Sequence, residues 1–216
     1  MYTDTGSAGV STLVQRARVA GFAIYATIAI FALTLVGELL EVAGLIDLAA
    51  PEGDPLALSY TVVLVANFVI FIGSVVAVSM WIHRAHANLH ESGMVVLNFT
   101  PGWAVGWYFI PIANLFKPFQ AMRELWTESH QIRDSFGAQL PGMLGTWWAC
   151  WIVGNILGNV STRLSLMGDG SNFQVAAAIG AASTVSLIAA AWFLLQIIRE
   201  ITAAQHDGAL VAKVFE

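Results

Sequence analysis

Charge is what this sequence has least of. Only 11% of its 216 residues are Asp, Glu, Lys or Arg, against roughly 25% in a soluble domain. That shortage excludes an ordinary water-soluble fold, and it excludes disorder, which needs charge and few apolar residues. Basic residues are the scarcer sign, nine against fourteen acidic ones, so there is no basic face for nucleic acid. Cysteine is limited to Cys150, which excludes a disulfide scaffold and reads as a packing residue. Enzyme signatures are missing too. There is no G-x-S-x-G elbow, no phosphate loop and no dinucleotide fingerprint. The first fifteen residues hold Asp4 and no basic stretch leading into an apolar run. No cleavable signal peptide is therefore expected, and the first span has to act as the insertion signal.

What is abundant is apolar sequence, 57% of the chain. Five charge-free windows interrupt the charges: 19 residues between Arg18 and Glu38, 29 between Asp54 and Arg84, 25 between Glu91 and Lys117, 28 between Asp134 and Arg163, and 29 between Asp169 and Arg199. About 20 apolar residues cross a bilayer as a helix, so each window is long enough. The third differs in kind. It holds Pro101 and Pro111, and Gly93, Gly102, Gly106, Asn98 and Asn114, which weaken a helix in several ways. It reads as a broken, re-entrant segment, tolerated at membrane depth only where protein or water satisfies its backbone.

The positive-inside rule decides the count. With four spans and a re-entrant third window, Arg16, Arg18, Arg84, Lys117, Arg123, Arg133, Arg199 and Lys213 share one side and Arg163 alone is opposite. Five spans would leave no bias. The expected fold is all-α and polytopic, with spans near Val19–Gly37, Ser59–Met80, Gly142–Thr162 and Val175–Ile198 and both termini in the cytoplasm of an inner membrane. The chain divides as a single integral domain: tail 1–16, helical hairpin 17–90, re-entrant segment and amphipathic helix 91–137, second hairpin 138–205, tail 206–216. The amphipathic helix follows Pro118, with Phe119, Met122, Leu125, Trp126 and Ile132 on its apolar face and Arg123, Glu124, Glu128 and Arg133 on its polar one. It should lie in the headgroup plane or cap the bundle. The outer links are short and the first is acidic, with Asp47, Glu52 and Asp54. Glu38 and Glu41 read as an acidic cap at the outer end of the first span. Asn155 and Asn159 share a helical face beside a G-x-x-x-G step at Gly154 and Gly158, a pattern of close helix packing with interhelical hydrogen bonds.

On this topology all eight tryptophans and all five histidines gather toward the cytoplasmic side, favouring a packed aromatic cluster over a two-sided interfacial belt. The stretch from Trp81 to Ser129, WIHRAHANLHESGMVVLNFTPGWAVGWYFIPIANLFKPFQAMRELWTES, is the distinctive part. It resembles the signature of the bacterial membrane proteins grouped as domain-of-unknown-function family 4328. Arg84 and Asn88 match an R-A-x-x-N step. Phe99, Pro101, Gly102, Trp103, Gly106, Trp107, Phe109 and Pro111 match F-x-P-G-W-A-V-G-W-x-F-I-P. Asn114, Leu115, Lys117 and Pro118 match N-L-x-K-P, and Met122, Glu124, Leu125 and Trp126 fall in the E-L-W helix. The resemblance implies class and location, names no reaction, and does not require histidine at 83, 86 or 90.

Two constellations could carry chemistry. Arg84, Asn88, Asn114 and Lys117 surround the Pro111 break. There the freed backbone and two cations suit an anionic group such as a lipid phosphate or a carboxylate; otherwise Arg84 pairs with Glu124 or a freed carbonyl and fixes the hairpin. With Trp103, Trp107, Pro111, Glu124 and Trp126 they form the candidate ligand site. His83, His86 and His90 share a helical face. With His130, Glu124 and Glu128 they could hold zinc or iron, although no H-E-x-x-H is present. Two of these histidines could alternatively ligate a haem. The expected function is a non-enzymatic membrane module without a cofactor, binding a lipid-like or apolar anionic ligand, or a partner protein, at the cytoplasmic leaflet. Expected partners are membrane lipid, and a second copy or another membrane protein. The alternatives are a metal-dependent membrane enzyme on the histidine face and a small oligomeric transporter.

Overall fold

The computed structural model describes residues 3–46, 55–93, 97–131, 141–167 and 172–214. Asp47, Glu52, Asp54, Ile132 and Arg133 lie outside these residues. Among the described residues the fold is helical without strands. The helices are α1 Thr3–Val42, α2 Pro55–Glu91, α3 Pro101–Gly106, α4 Lys117–Gln131, α5 Gly142–Met167 and α6 Phe173–Val214, with short 3₁₀ turns at Trp107–Phe109 and Ala113–Leu115.

Three helices are long and apolar enough to cross a membrane, over Ala8–Val42, Pro55–Glu91 and Phe173–Leu210. This corrects the expectation of four apolar spans. The expected span at 142–162 is helical, and α5 with its 26 residues reaches about 39 Å. Its length suffices and its composition does not. Gly142, Gly145, Gly154, Gly158, Thr146, Asn155, Asn159, Ser161 and Thr162 dilute the apolar content that a span needs.

The described part of the third charge-free window breaks up as its prolines and glycines predict, into pieces of six residues or fewer. A six-residue helix rises about 9 Å, so none of them crosses a bilayer. Pro101 opens a helix here. Thr100 is the N-cap, its hydroxyl accepting from the Trp103 N–H at 3.4 Å, and Pro101 takes the first turn, where a missing N–H costs nothing. The sharper break follows Pro111. Ala113 N–H donates to Pro111 O at 2.8 Å across Ile112, which sits at φ 69°, ψ −54°. That is the strained form of γ-turn, and a β-branched residue there is costly.

The described residues form two compact units. The first is built from residues 1–23, 74–145 and 194–216 and the second from 24–73 and 146–193. The first unit packs Leu13 and Ala20 of α1, Trp81, Ala85 and Leu89 of α2, Ala121, Met122 and Leu125 of α4, and Ile197, Ile201 and Ala204 of α6 into its core. α4 buries Pro118, Ala121, Met122, Leu125, Trp126, Ser129 and His130, so it caps helices of its own unit. In the second unit α5 and α6 approach closely. A Cβ on Gly154 would lie 2.7 Å from Leu187, and Ser183 and Ser186 donate to Gly154 O at 2.8 Å and Cys150 O at 2.9 Å. Ser161 of α5 returns a bond to Ala176 O of α6 at 2.7 Å, so the interhelical bonds between these two helices come from serines. Asn155 and Asn159 instead donate to carbonyls of their own helix, Trp151 O and Asn155 O. Of the eight tryptophans, Trp81, Trp103, Trp107 and Trp126 belong to the first unit and Trp147, Trp148, Trp151 and Trp192 to the second.

Candidate functional site

The candidate ligand residues fall in the first unit and separate into two groups with different partners. Arg84 leads the first group. Its Nε donates to Asn88 Oδ1 at 2.7 Å and its guanidinium pairs with Glu91. These residues stand four and seven positions along α2, on one face. Asn88 Nδ2 donates to Gln205 Oε1 of α6 at 3.0 Å, and Gln205 Nε2 donates to Ala85 O at 3.1 Å and Ser129 Oγ at 2.9 Å. Gly9 of α1 closes against this network, since a Cβ there would lie 2.8 Å from Asn88 Oδ1 and collide with the guanidinium. Arg84 is thus a structural cation that holds Asn88 in place on α2, Asn88 and Ala85 make the link to Gln205 of α6, and the carboxylate partner of Arg84 is Glu91, not Glu124.

Glu124 serves the broken segment. Its carboxylate accepts from Asn98 N–H at 2.7 Å, from Asn98 Nδ2 at 2.8 Å and from Phe99 N–H at 3.1 Å. It pins the entry to α3 and so positions the Phe99 ring. The second group forms over that ring. Lys117 Nζ lies 5.7 Å from the Phe99 centroid, 5.8 Å from Trp107 and 6.0 Å from Phe116, within the range of cation–π attraction. Trp103 and Trp107 pack at 4.9 Å between centroids. Among the described residues no carboxylate forms an ion pair with Lys117. In the broken segment that leads to it, Trp103, Phe109, Ile112, Leu115 and Phe116 are exposed, Phe109 by 67% and Ile112 by 76%. Burial pushes the Tyr108 phenol above the usual tyrosine range, so it stays neutral here. Pro111 contributes its carbonyl to the γ-turn. Asn114 and Trp126 each keep a buried polar atom, Oδ1 and Nε1, without a hydrogen-bond partner, and Trp126 stacks on His130 at 4.2 Å.

The candidate metal residues are not gathered. His86, His90 and His130 each turn Nδ1–H to a carbonyl one turn back, at Ile82, His86 and Trp126, over 3.1, 2.9 and 2.8 Å. His83 is exposed, while His86 is fully buried with Nε2 unpartnered. Among the described residues no three His, Cys, Asp or Glu side chains could hold a metal ion.

Sequence reasoning singled out Lys117 and placed Phe99 in the family motif, but assigned neither Phe99 nor Phe116 to the faces beneath Lys117. It also missed Gln205, although Ile198, Ile201, Thr202 and Gln205 stand at helical spacing on one stripe, which could have marked Gln205 as a buried polar residue. The family described as domain of unknown function (DUF4328) matches residues 56–203. The chain belongs to that family. The matched stretch takes in every residue of both groups except Gln205, Gly9 and the first turns of α1. Comparison with curated proteins and with solved structures gives no match.

Proposed function

We propose that this DUF4328 chain is a non-enzymatic module of a bacterial inner membrane that holds an anionic lipid headgroup, or a similar apolar anion, at Lys117 on the cytoplasmic leaflet. Lys117 carries the reading: a cation set over three aromatic faces, with no carboxylate partner among the described residues, at the end of a broken segment whose apolar side chains are exposed. Apolar groups of that kind suit the acyl boundary, and an ammonium beside them suits a phosphate. A glutamate-pinned, proline-broken segment supplies rigid placement without crossing the bilayer.

The arrangement in the membrane follows from the charges. Arg16, Arg18, Arg84, Lys117, Arg123 and Arg199 all belong to the first unit and Arg163 to the second. This supports a cytoplasmic first unit under the positive-inside rule, with both termini inside and residues 97–116 turning back at that face. α1, α2 and α6 cross by their own hydropathy. α5 accompanies α6 through the contacts of Gly154, Ser183 and Ser186.

The test is lipid retention. The full chain, extracted with its surrounding bilayer, is expected to carry anionic lipid that Lys117→Ala loses severalfold, with the melting temperature unchanged. Equal anionic lipid in the variant and the parent would defeat the reading.

A further inference from the structure

The second unit contains a carboxyl group that the reading above leaves unused. Glu38, near the end of α1, was expected to face outward as part of an acidic cap. It turns inward instead. Its Oε1 accepts from the Thr184 hydroxyl of α6 at 3.0 Å, and its Oε2 is fully enclosed with no hydrogen-bond partner. Gly180, one turn before Thr184, makes the approach possible. A Cβ there would lie 2.9 Å from Glu38 Oε1 and 3.2 Å from Ser161 Oγ of α5. The Tyr60 ring of α2 packs directly against Gly37, the neighbour of Glu38. Four helices therefore converge on one carboxyl.

Nothing in this unit neutralises it as an anion. Among the unit's described residues the only Lys or Arg is Arg163, which is exposed, and there is no histidine. The titratable groups facing Glu38 are Glu41 from α1 and Tyr60 from α2. From α6 it meets the neutral hydroxyl of Thr184, while the Ser161 hydroxyl of α5, beside Gly180, donates to Ala176 O at 2.7 Å. An ionised carboxylate with one oxygen dry and unpartnered, and a second carboxyl a turn away, is the costliest state available. A metal cation would need several oxygen ligands, and no three His, Cys, Asp or Glu side chains gather among the described residues. A proton removes the charge and leaves only one neutral O–H without an acceptor, a smaller penalty than an unpaired charge.

We infer that Glu38 is a proton-binding site: its carboxyl is held as the neutral acid, with Oε1 accepting from Thr184 and Oε2 carrying a proton that exchanges with pH. Protonation leaves the four helices closed around a neutral group. Loss of the proton places an unpaired charge among them.

Infrared spectroscopy of the full chain in bilayers tests this directly. A protonated-carboxylic-acid carbonyl band is expected at neutral pH, lost entirely in Glu38→Gln and retained in Glu41→Gln. Thr184→Val removes the donor that favours the anion, so its band should persist to higher pH than the parent's. Absence of the band at neutral pH, or an unchanged band in Glu38→Gln, overturns the assignment. Loss of the band on adding sodium at constant pH also overturns it, in favour of a cation site. A second readout needs no variant. Dicyclohexylcarbodiimide, which attacks protonated but not ionised carboxyls, is expected to modify Glu38 in the parent chain at neutral pH and less at alkaline pH. Modification of Glu41 in place of Glu38 counts against the proposal.

Discussion

Glu124 shows how a single side chain can stand in for secondary structure. Residues 97–100 have no helix or strand to satisfy their backbone, and Glu124 accepts both the Asn98 and Phe99 N–H groups as well as the Asn98 amide. Hydrogen bonds to a charged acceptor are worth about 1.5–3 kcal/mol where shielded and less where exposed. Glu124→Ala is expected to cost about 2 kcal/mol in thermal unfolding and to open the peptide bonds at 97–100 to added protease. A variant as stable and as resistant as the parent would show that the Thr100 cap holds this segment alone. The fate of Arg84 marks the limit of reading residues from sequence. Arg84 and Lys117 both flank apolar windows and so looked like one cationic site. Yet Arg84, Asn88 and Glu91 stand at i, i+4 and i+7, the kind of spacing that was read for the histidines and not for them. Phe99 and Phe116 were illegible for another reason: Phe99 lies in non-helical backbone before α3 and Phe116 follows the γ-turn at Ile112, and at neither does the helical period assign a face.

At the scale of elements, helices tied by a buried amide behave differently from helices that merely touch. Gln205 is 4% exposed and serves α2 at Asn88 and Ala85 and α4 at Ser129. Gln205→Leu preserves much of the volume but strands those groups, at about 1–3 kcal/mol for each one left dry. The expected loss is about 3 kcal/mol. Thr202→Val, which removes only the partner of the Trp81 indole at 3.0 Å, should cost about 1 kcal/mol. Calorimetry showing both variants equal would remove Gln205 from the centre of the network. The elements themselves were largely legible. The charge-free windows located α1, α2, α5 and α6, and the amphipathic pattern located α4, because each depends on local periodicity. The fourth apolar span was not, since length and absence of charge were weighed while the Gly, Asn, Ser and Thr content of α5 was not. Pro101 was read as a breaker because its N-cap, Thr100, was overlooked.

For the whole molecule the proposed orientation predicts which surface faces which compartment. In a Cys150→Ser background, single cysteines replacing Gln15 and Gln120 are expected to react with a membrane-impermeant thiol reagent only after the cell is opened. A cysteine replacing Arg163 should react in intact cells. Reaction at 120 from outside would reverse the proposed orientation and take the inner-leaflet site with it. One feature of the fold also bears on how the protein is made. A helix as diluted as α5 is expected to partition weakly into lipid on its own account, and its glycine face is matched by serines that are synthesised later, on α6. The expected order of insertion is that α5 waits at the translocon until α6 emerges and the two leave it as a pair. A chain stopped after Met167 is expected to release α5 to alkaline extraction and to quality-control proteolysis, while α1 and α2 stay integrated.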